Sequence, residues 1–398
     1  MSPLDPIALS QALIRQASLS DQDDPGAIAV LEEVLVPLGF TCHRITCEGV
    51  VAGVPVENLY ARWGKGVPNL CFGGHTDVVP AGDLAGWSVD PFAGVIVASG
   101  ARENPSSVIH HPSSILIGRG AVDMKAAIAC WVVAAAEYLE AHKDFKGSLS
   151  FLITADEETG SHGMPATLEW LKKHGEKIDA CIVGEPTNPS KLGEMAKIGR
   201  RGSLNFTLAV EGKQGHVAYP KLADNPVTTL VEILHRIKNT PLDSGNAHFQ
   251  PSNLEVVNIE VGNKATNVIS ARAKAVFNVR FNDSYSRKKL TEWVRAQCDA
   301  VTKNYTLETD RGSESFLTQP GRLSDIVVAA VKEITRKTPE LSTTGGTSDA
   351  RFIKDICPVV EFGLINETAH KVDEQVAVED ILGLTKIYGE IIARYFGG

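Results

Sequence analysis

The sequence predicts an α/β protein in which a domain with a mostly parallel sheet and flanking helices is interrupted by an inserted α+β domain. Three observations lead to this prediction. At 398 residues the chain is long for one hydrophobic core. Helical and extended patterns alternate in the first half and again near the C-terminus. From about residue 200, the strands instead alternate apolar and polar residues, which is typical of a sheet with one wet face.

In the first part of the chain, short apolar strands alternate with segments of helical spacing. Strands are expected in "PNLCFGG", "GSLSFLITADEE" and "IDACIVGEP". Helices are expected in "PIALSQALIRQ", "GAIAVLEEVLVPLG", "MKAAIACWVVAAAEYLEAH" and "GMPATLEWLKKHG". The third of these helices is apolar nearly all round, so we expect it to be buried against the sheet.

The inserted segment has the element order β-α-β-β-α-β, which is that of a ferredoxin-like fold. Its successive elements are "SLNFTLAVEG", "NPVTTLVEILHRIKN", "NLEVVNIEVG", "ARAKAVFNVRF", "SRKKLTEWVRAQCDAV" and "YTLETDR". We therefore place the inserted domain at residues 200–312 and the interrupted domain at residues 1–199 and 313–398.

Composition excludes several classes of protein. The formal net charge of −9, without a Lys/Arg cluster, argues against a nucleic-acid surface. The start of the chain has no basic stretch followed by an apolar segment, and "AAIACWVVAAA" is far shorter than the roughly 18 residues of a membrane span. Seven cysteines without a CxxC pair indicate reduced thiols. We expect a cytoplasmic protein with no membrane or nucleic-acid partner.

Acidic and imidazole side chains follow the ends of several predicted strands or open the buried helix. These candidates are His75 and Asp77 after "NLCFGG", Asp123 in "GRGAVDMK", Glu157 and Glu158 at the end of "SLSFLITADEE", Glu185 in "CIVGEP" and His370 in "ETAHKVDE". Each alone is more often a loop residue, a solvated charge or a helix cap. Because sites in open α/β sheets form at the carboxyl ends of strands, their joint placement indicates one site.

The donor types favour a pair of divalent ions. Carboxylates and imidazoles without thiolates suit zinc, cobalt or manganese. Asp123, Glu158 and Glu185 supply three negative charges, a hydroxide supplies the fourth, and Asp123 is the natural bridge. Neighbours in an extended segment point apart, so we expect one of Glu157 and Glu158 to bind metal and the other to face substrate.

In order along the chain, "GGHTDVVPAGD", "GRGAVDMK", "ITADEETGS", "VGEPT" and "ETAHKVDE" resemble the motifs of the M20 family of dinuclear zinc peptidases and deacylases. The resemblance covers the chain from about residue 55 and implies a hydrolase with two zinc ions per subunit, with cobalt possible in one site. It implies that His75, Asp123 and Glu185 hold one ion, and that Asp123, Glu158 and His370 hold the other. Glu157 then matches the general base, and Asp77 matches the partner of the second nitrogen of His75.

Further stretches, including "IGRRGSLNFTLAVEGKQGHVAYP", "TNVIS", "FNVRF" and "TTGGTSDARFI", are similar to a deacylase within that family. The resemblance implies a small N-acyl amino-acid substrate and a homodimer formed through the inserted lid domain, residues 200–312. It implies that His216 and Asn267 reach the partner's site. The implied substrate contacts are Arg200, Ser203, Tyr219, Arg280, Gly346, Thr347 and Asn366. The acyl group stays open at this point, and so does a non-catalytic relative that keeps the fold.

Two features depart from the family pattern. Ala126 stands where the family often has glycine, at the start of the buried helix. Residues 99–114 lengthen a connection that is usually short, and we interpret His110 and His111 within it as a solvated pair in an exposed loop.

Overall fold

The computed structural model describes residues 4–20, 22, 26–48, 53–98 and 114–397. The chain divides into two compact units. The first comprises the chain up to Ile198, Thr318–Ser342 and the chain from Ser348 onward. The second comprises Gly199–Leu317 and the short segment Thr343–Thr347. The predicted boundaries of the inserted domain were residues 200 and 312. Residues 343–347 were not predicted to belong to it.

Up to residue 198 the elements are, in chain order, α1 (Pro6–Ile14), α2 (Gly26–Leu35), β1 (Thr41–Glu48), β2 (Pro55–Trp63), β3 (Asn69–His75), β4 (Val95–Ala98), β5 (Ser114–Ile117), α3 (Lys125–Ala141), β6 (Ser148–Thr154), α4 (Gly163–His174), β7 (Ala180–Val183) and β8 (Met195–Lys197). The second unit contains β9 (Gly199–Arg200), β10 (Gly202–Glu211), β11 (Gly215–His216), α5 (Pro226–Asn239), β12 (Asn253–Glu260), β13 (Val268–Ile269), β14 (Arg272–Phe281), α6 (Arg287–Asp299), β15 (Tyr305–Thr309) and β16 (Phe316–Leu317). The first unit resumes with α7 (Arg322–Thr335), β17 (Glu340–Ser342), α8 (Ala350–Ile353), β18 (Val359–Glu361), β19 (Gln375–Ala377) and α9 (Val378–Phe396).

The first unit is built on an eight-stranded sheet in the order β1-β2-β6-β3-β7-β18-β8-β17. Its centre, β6-β3-β7-β18, is parallel throughout. Every residue of β3, β6 and β7 is buried, as expected for parallel strands covered on both faces. The predicted α/β class with a mostly parallel central sheet is confirmed. The hairpin of β1 and β2 extends the sheet with antiparallel pairs and was not predicted from the sequence.

The apolar helix α3 is buried along most of its length, as its sequence predicts. Its Trp131 stacks on Phe72 of β3, with ring centroids 5.1 Å apart, and meets Tyr388 of α9 edge-on at 5.1 Å. Since α3 begins two residues after Asp123, this packing fixes the start of the helix against the sheet.

A small three-stranded sheet in the order β19-β5-β4 was also not predicted. Strand β19 pairs antiparallel with β5, with Gln375 opposite Ile117. The pairing holds the loop that follows β5 beside the turn that precedes β19, so Asp123 and His370 are carried by neighbouring segments.

The second unit contains a four-stranded antiparallel sheet in the order β12-β14-β10-β15. This is the strand order of the predicted β-α-β-β-α-β unit. Alternate residues of β14 are buried, and they form one core with apolar residues of α5 and α6. Helix α5 begins at Pro226, where the side chain of Asn225 accepts a hydrogen bond from the N–H of Val227 at 3.1 Å.

Across the described ranges, no helix has both the length and the apolar character required to cross a membrane.

Candidate metal centre

The carboxyl ends of the central parallel strands bring the predicted ligands to one edge of the sheet. His75 is the last residue of β3 and is 1% exposed. Glu157 and Glu158 follow β6, Glu185 follows β7, and the chain leaving β18 leads to His370. Because β6, β3, β7 and β18 are parallel neighbours, these side chains start from adjacent strand ends.

Gly74, directly before His75, makes room for the loop that carries Asp123. A Cβ atom on Gly74 would lie 2.7 Å from Cε of Met124, which is closer than real Cβ atoms come to their neighbours. Met124 directly follows Asp123, so the missing side chain at residue 74 lets the aspartate approach His75.

Asp123 contacts both imidazoles, one with each carboxylate oxygen. Its Oδ1 lies 3.1 Å from Nε2 of His75, and its Oδ2 lies 3.2 Å from Nε2 of His370. Oε1 of Glu158 lies 2.7 Å from the same His370 nitrogen, and Oε1 of Glu185 lies 3.9 Å from His75 Nε2. Five predicted ligands thus form one continuous cluster with Asp123 at its centre.

The second nitrogen of His75 lies closest to the backbone of Asp77. Nδ1 is 2.9 Å from the carbonyl oxygen of Asp77 and 3.4 Å from its carboxylate Oδ1. A carbonyl oxygen only accepts, so Nδ1 carries a proton, and Nε2 is the nitrogen that faces the carboxylates of the cluster.

The carboxylate of Asp77 holds the two glutamates. Oδ1 accepts a hydrogen bond from the N–H of Glu157, and Oδ2 accepts one from the N–H of Glu158, each at 3.1 Å. The expectation that these glutamates continue an extended segment is wrong, because β6 ends at Thr154 and residues 157–160 form a turn. The two side chains diverge because of this turn and not because of strand alternation.

The donors fit divalent cations. His75, Glu157 and Glu185 each place one ligand atom within 4.8 Å of the others, and so do His75, Asp123 and Glu158. Asp123 contacts both imidazoles. The nitrogen and oxygen donors can therefore form two adjacent metal sites. Glu157 belongs to the first group, so it lies within reach of an ion held there, although the family resemblance implies that it is the base.

The environment shifts several pKa values. Burial raises the pKa of Glu157 well above its usual value; His75 opposes the shift and the carboxylates of Asp349, Glu158 and Asp77 add to it. Hydrogen bonds to Asp123 and then Glu158 raise the pKa of His370 to about 10. Burial works against ionisation of Asp123, yet hydrogen bonds from His370 and His75 hold its pKa below the usual range.

Two buried carboxylates beside the cluster were missed as site residues. Asp349 accepts a hydrogen bond from Thr154 Oγ1 at 2.7 Å, while its Oδ1 is buried without a partner. Glu374 accepts hydrogen bonds from the backbone of Val122 and Asp123. Glu374 stands in the quoted motif "ETAHKVDE", but an acidic residue in a motif does not reveal by itself that it is buried against another loop.

In the second unit, the structure brings the predicted substrate residues together in groups. His216 pairs with Val268 through β11 and β13, and the N–H of Val217 bonds to the carbonyl of Asn267 at 3.1 Å. The ring of Tyr219 lies 5.6 Å from that of His216. These contacts gather the predicted His216, Tyr219 and Asn267 into one corner of the unit.

The remaining predicted residues fall into three places. Ser203 and Arg280 are opposite each other on β10 and β14. Gly346 and Thr347 belong to the segment 343–347 of the second unit, and a Cβ atom at the neighbouring Gly345 would lie 2.6 Å from Nη1 of Arg200. Asn366 begins a short 3₁₀ helix, Asn366–Thr368, in the first unit, just before His370.

The predicted loop at 99–114, with His110 and His111, lies outside the described residues except for Ser114, which begins β5.

Comparison with known proteins identifies the class. A sequence model of Peptidase family M20/M25/M40 matches residues 71–394. The chain therefore belongs to that family. An M20 family metallo-carboxypeptidase from Sulfolobus solfataricus shares the fold, with a TM-score of 0.76 and 18% identity over 98% of this chain and 99% of that one. A dinuclear metal binding peptidase of the M20 family from Bacillus subtilis has a TM-score of 0.66 at 14% identity, covering 98% of this chain and 97% of its own.

Much more similar sequences carry one common name. A succinyl-diaminopimelate desuccinylase from Rhodospirillum centenum is 51% identical over 100% of this chain and 99% of its own length. Another, from Ehrlichia canis, is 49% identical over 99% of both chains. A third, from Parvibaculum lavamentivorans, is 50% identical over 100% of this chain and 97% of its own.

Proposed function

We propose that the protein is a metal-dependent amide hydrolase that converts N-succinyl-LL-2,6-diaminopimelate and water to succinate and LL-2,6-diaminopimelate, in lysine and diaminopimelate biosynthesis. The observation that carries the proposal is full-length identity of about one half to desuccinylases, with every ligand-type residue of the family motifs present. The substrate is a small N-acyl amino acid. All seven cysteines are free thiols, which is consistent with a cytoplasmic enzyme.

The proposed cofactors are two zinc ions per subunit, with cobalt possible in one site. His75, Asp123 and Glu185 hold the first ion, and Asp123, Glu158 and His370 hold the second. The contacts of Asp123 with both imidazoles support its role as the shared ligand. When bound, such a pair of ions supplies Lewis acidity, which polarises the scissile carbonyl and makes water a stronger nucleophile.

Glu157 is the proposed general base. It takes a proton from the attacking water and returns it to the amine that leaves, so one carboxyl group serves both steps. Burial and the neighbouring carboxylates raise the pKa of Glu157, which makes its carboxylate a stronger acceptor for the proton of the water. Asp77 fixes the backbone of Glu157, and so the direction of its side chain.

The second unit supplies the proposed substrate contacts. His216 and Asn267 approach the partner subunit's scissile amide, where His216 stabilises negative charge on the carbonyl oxygen. Arg280 binds a substrate carboxylate. No described acid pairs with its guanidinium and its side chain is about half-buried, so it can offer two parallel hydrogen bonds. The further proposed substrate contacts are Arg200, Ser203, Tyr219, Gly346 and Thr347 of the second unit and Asn366 of the first.

A homodimer through residues 200–312 is the proposed assembly. Strand β12 lies at the end of its sheet, so within the described part of the chain one of its edges is unpaired. Val257 and Ile259 on this strand are 65% and 54% exposed, and Val231 on α5 is 58% exposed. An open edge flanked by exposed apolar residues is the kind of surface that a second copy can cover.

The nearest alternative is acetylornithine deacetylase or another M20 deacylase, which would differ in the acyl pocket. Parallel assays of N-succinyl-LL-diaminopimelate and N-acetylornithine decide between them. We expect the succinyl substrate to have the much higher kcat/KM, with Glu157→Gln protein as the control for contaminating activity. A preference for N-acetylornithine would overturn the proposed substrate. Failure to retain about two metal ions per chain would instead favour a non-catalytic relative.

A further inference from the structure

We infer that Glu374 is a positioning residue that, together with Arg119, locks the loop carrying Asp123 to the turn carrying His370. The inference rests on the proposed metal centre. It concerns how Asp123 and His370, whose Oδ2 and Nε2 atoms lie 3.2 Å apart, are held in position. Neither Glu374 nor Arg119 is among the predicted site residues.

The carboxylate of Glu374 is fully buried and uses both oxygens on the Asp123 loop. Oε1 accepts hydrogen bonds from the N–H groups of Val122 at 2.8 Å and Asp123 at 3.1 Å. Oε2 accepts them from the N–H of Gly120 at 3.1 Å and from Nη1 of Arg119 at 2.8 Å. This loop has no regular structure, so these buried N–H groups depend on the one carboxylate.

The backbone of Glu374 adds a further contact to the same loop. Its carbonyl oxygen accepts a hydrogen bond from the N–H of Gly118 at 2.9 Å, next to the pairing of β19 with β5. The loop is therefore held along its length, from residue 118 to Asp123, by one residue that lies four positions after His370.

Arg119 contacts the turn that carries His370. The side chain is 3% exposed, and its Nη1 also donates to the carbonyl of Lys371 at 3.2 Å. Its Nη2 donates to the carbonyl of Pro80 at 3.3 Å, and its guanidinium lies over the ring of Trp87, 5.3 Å from the centroid. One buried ion pair therefore fixes the backbone directly beside both Asp123 and His370.

The turn needs such anchoring because its backbone is unusual. His370 and Asp373 have φ angles of +63° and +56°, in the left-handed region that residues other than glycine seldom adopt. The side chain of His370 is half-exposed, so burial alone does not hold this geometry. Arg119 donates a hydrogen bond to the carbonyl of Lys371 in this turn and another to Glu374, which accepts from the Asp123 loop, and these fixed contacts constrain the turn as outer-shell partners do for metal ligands.

The test is metal affinity of the apoprotein, measured by competition with a chelator, and the visible spectrum of the cobalt-loaded protein. Glu374→Gln keeps the shape of the side chain. The new NH₂ group, however, must face N–H donors, and the negative charge that pairs with Arg119 is lost. We expect ten- to hundredfold weaker binding of at least one ion and an altered cobalt spectrum. The matched control is Glu176→Gln. The carboxylate of Glu176 accepts hydrogen bonds from Tyr60 and Arg62, and Arg62 also donates to Ser148 at the start of β6. This control variant should leave affinity and spectrum unchanged.

Should Glu374→Gln fail to fold, Arg119→Lys keeps the charge and loses part of the fork of donors, and the same weakening is expected. Wild-type affinity and spectrum in the folded variant would overturn the positioning role alone. A wild-type chain that binds no pair of metal ions would overturn the proposed function as well, so the two failures are distinguishable.

Discussion

The Nδ1 atom of His75 lies 2.9 Å from the backbone carbonyl oxygen of Asp77, two residues further along the chain. This contact fixes the proton on Nδ1 through the main chain. The Asp77 carboxylate, only 3.4 Å from the same nitrogen, is then available to hold the turn with both glutamates.

Replacing Asp77 with asparagine should therefore disturb the glutamates more than the histidine. The amide offers only one acceptor to two N–H groups, so we expect kcat to fall about ten- to hundredfold with a smaller change in KM. Steady-state kinetics measure this. Asp83→Asn is the control, because Asp83 accepts a hydrogen bond from the N–H of Ala85 at 3.0 Å at an exposed helix start. Equal effects of the two variants would contradict the assignment.

Glu157→Gln should separate chemistry from metal binding. The amide cannot take a proton from water, and general acid–base catalysis is worth about 10²–10⁴ in rate. We expect kcat to fall by that factor while the metal content, measured by elemental analysis, stays near two ions per chain. Near-normal turnover would remove Glu157 from the mechanism, and loss of one ion would make it a ligand, as its group with His75 and Glu185 allows.

His216→Ala tests whether the histidine acts across a dimer. The variant should retain its metals and lose most of its turnover. Mixed with Glu157→Gln protein and allowed to exchange subunits, it should regain about a quarter of wild-type activity, because half of the dimers are mixed and each has one complete site. Mixed dimers without activity would place His216 in the site of its own chain.

Arg280→Lys tests recognition of a substrate carboxylate. A lysine cannot donate the paired hydrogen bonds of a guanidinium, so we expect about a tenfold or greater rise in KM for the succinyl substrate. The control is Arg272→Lys on the same strand, where the guanidinium is exposed and lies 2.9 Å from Glu211. An unchanged KM in the Arg280 variant would exclude this contact.

Asp380 makes stability depend on pH. Burial raises the pKa of Asp380 to about 6; Glu379 adds to the shift and Lys337 opposes it. The folded chain therefore holds this proton more tightly than the unfolded chain, whose aspartates titrate near 3.9. The contribution of Asp380 to the free energy of unfolding is therefore lost as the pH rises from about 4 to above 6. Asp380→Asn should gain about 1 kcal/mol at pH 7.5 and progressively less towards pH 4.

Urea unfolding across this pH range measures the gain. The control is Asp325→Asn, an exposed aspartate that also lies in the first turn of a helix, α7, and it tests whether loss of any such charge gives the same gain. A constant difference between Asp380→Asn and wild type at all pH values would contradict the assignment to this carboxyl group.

Much of the fold was predictable because it depends on local patterns. The apolar runs of β3, β6 and β7 predicted buried parallel strands, and the alternation in β14 predicted a sheet with one wet face. The β19-β5-β4 sheet was missed, since strands of three or four residues carry little pattern of their own. The β1–β2 hairpin was missed as well, because β1 is mostly exposed and shows no regular alternation of buried and exposed residues.

The sequence by itself determined which residue types stand at the strand ends, and so the chemistry available to the protein: imidazoles and carboxylates without thiolates. Only the tertiary structure decided how they are oriented. It placed Glu157 and Glu158 on a turn held by Asp77, and Glu374 against the Asp123 loop from more than 250 residues away in the chain. Hydrogen bonds between distant segments form only after the strands have paired, and no local pattern records which buried N–H group a remote carboxylate will accept.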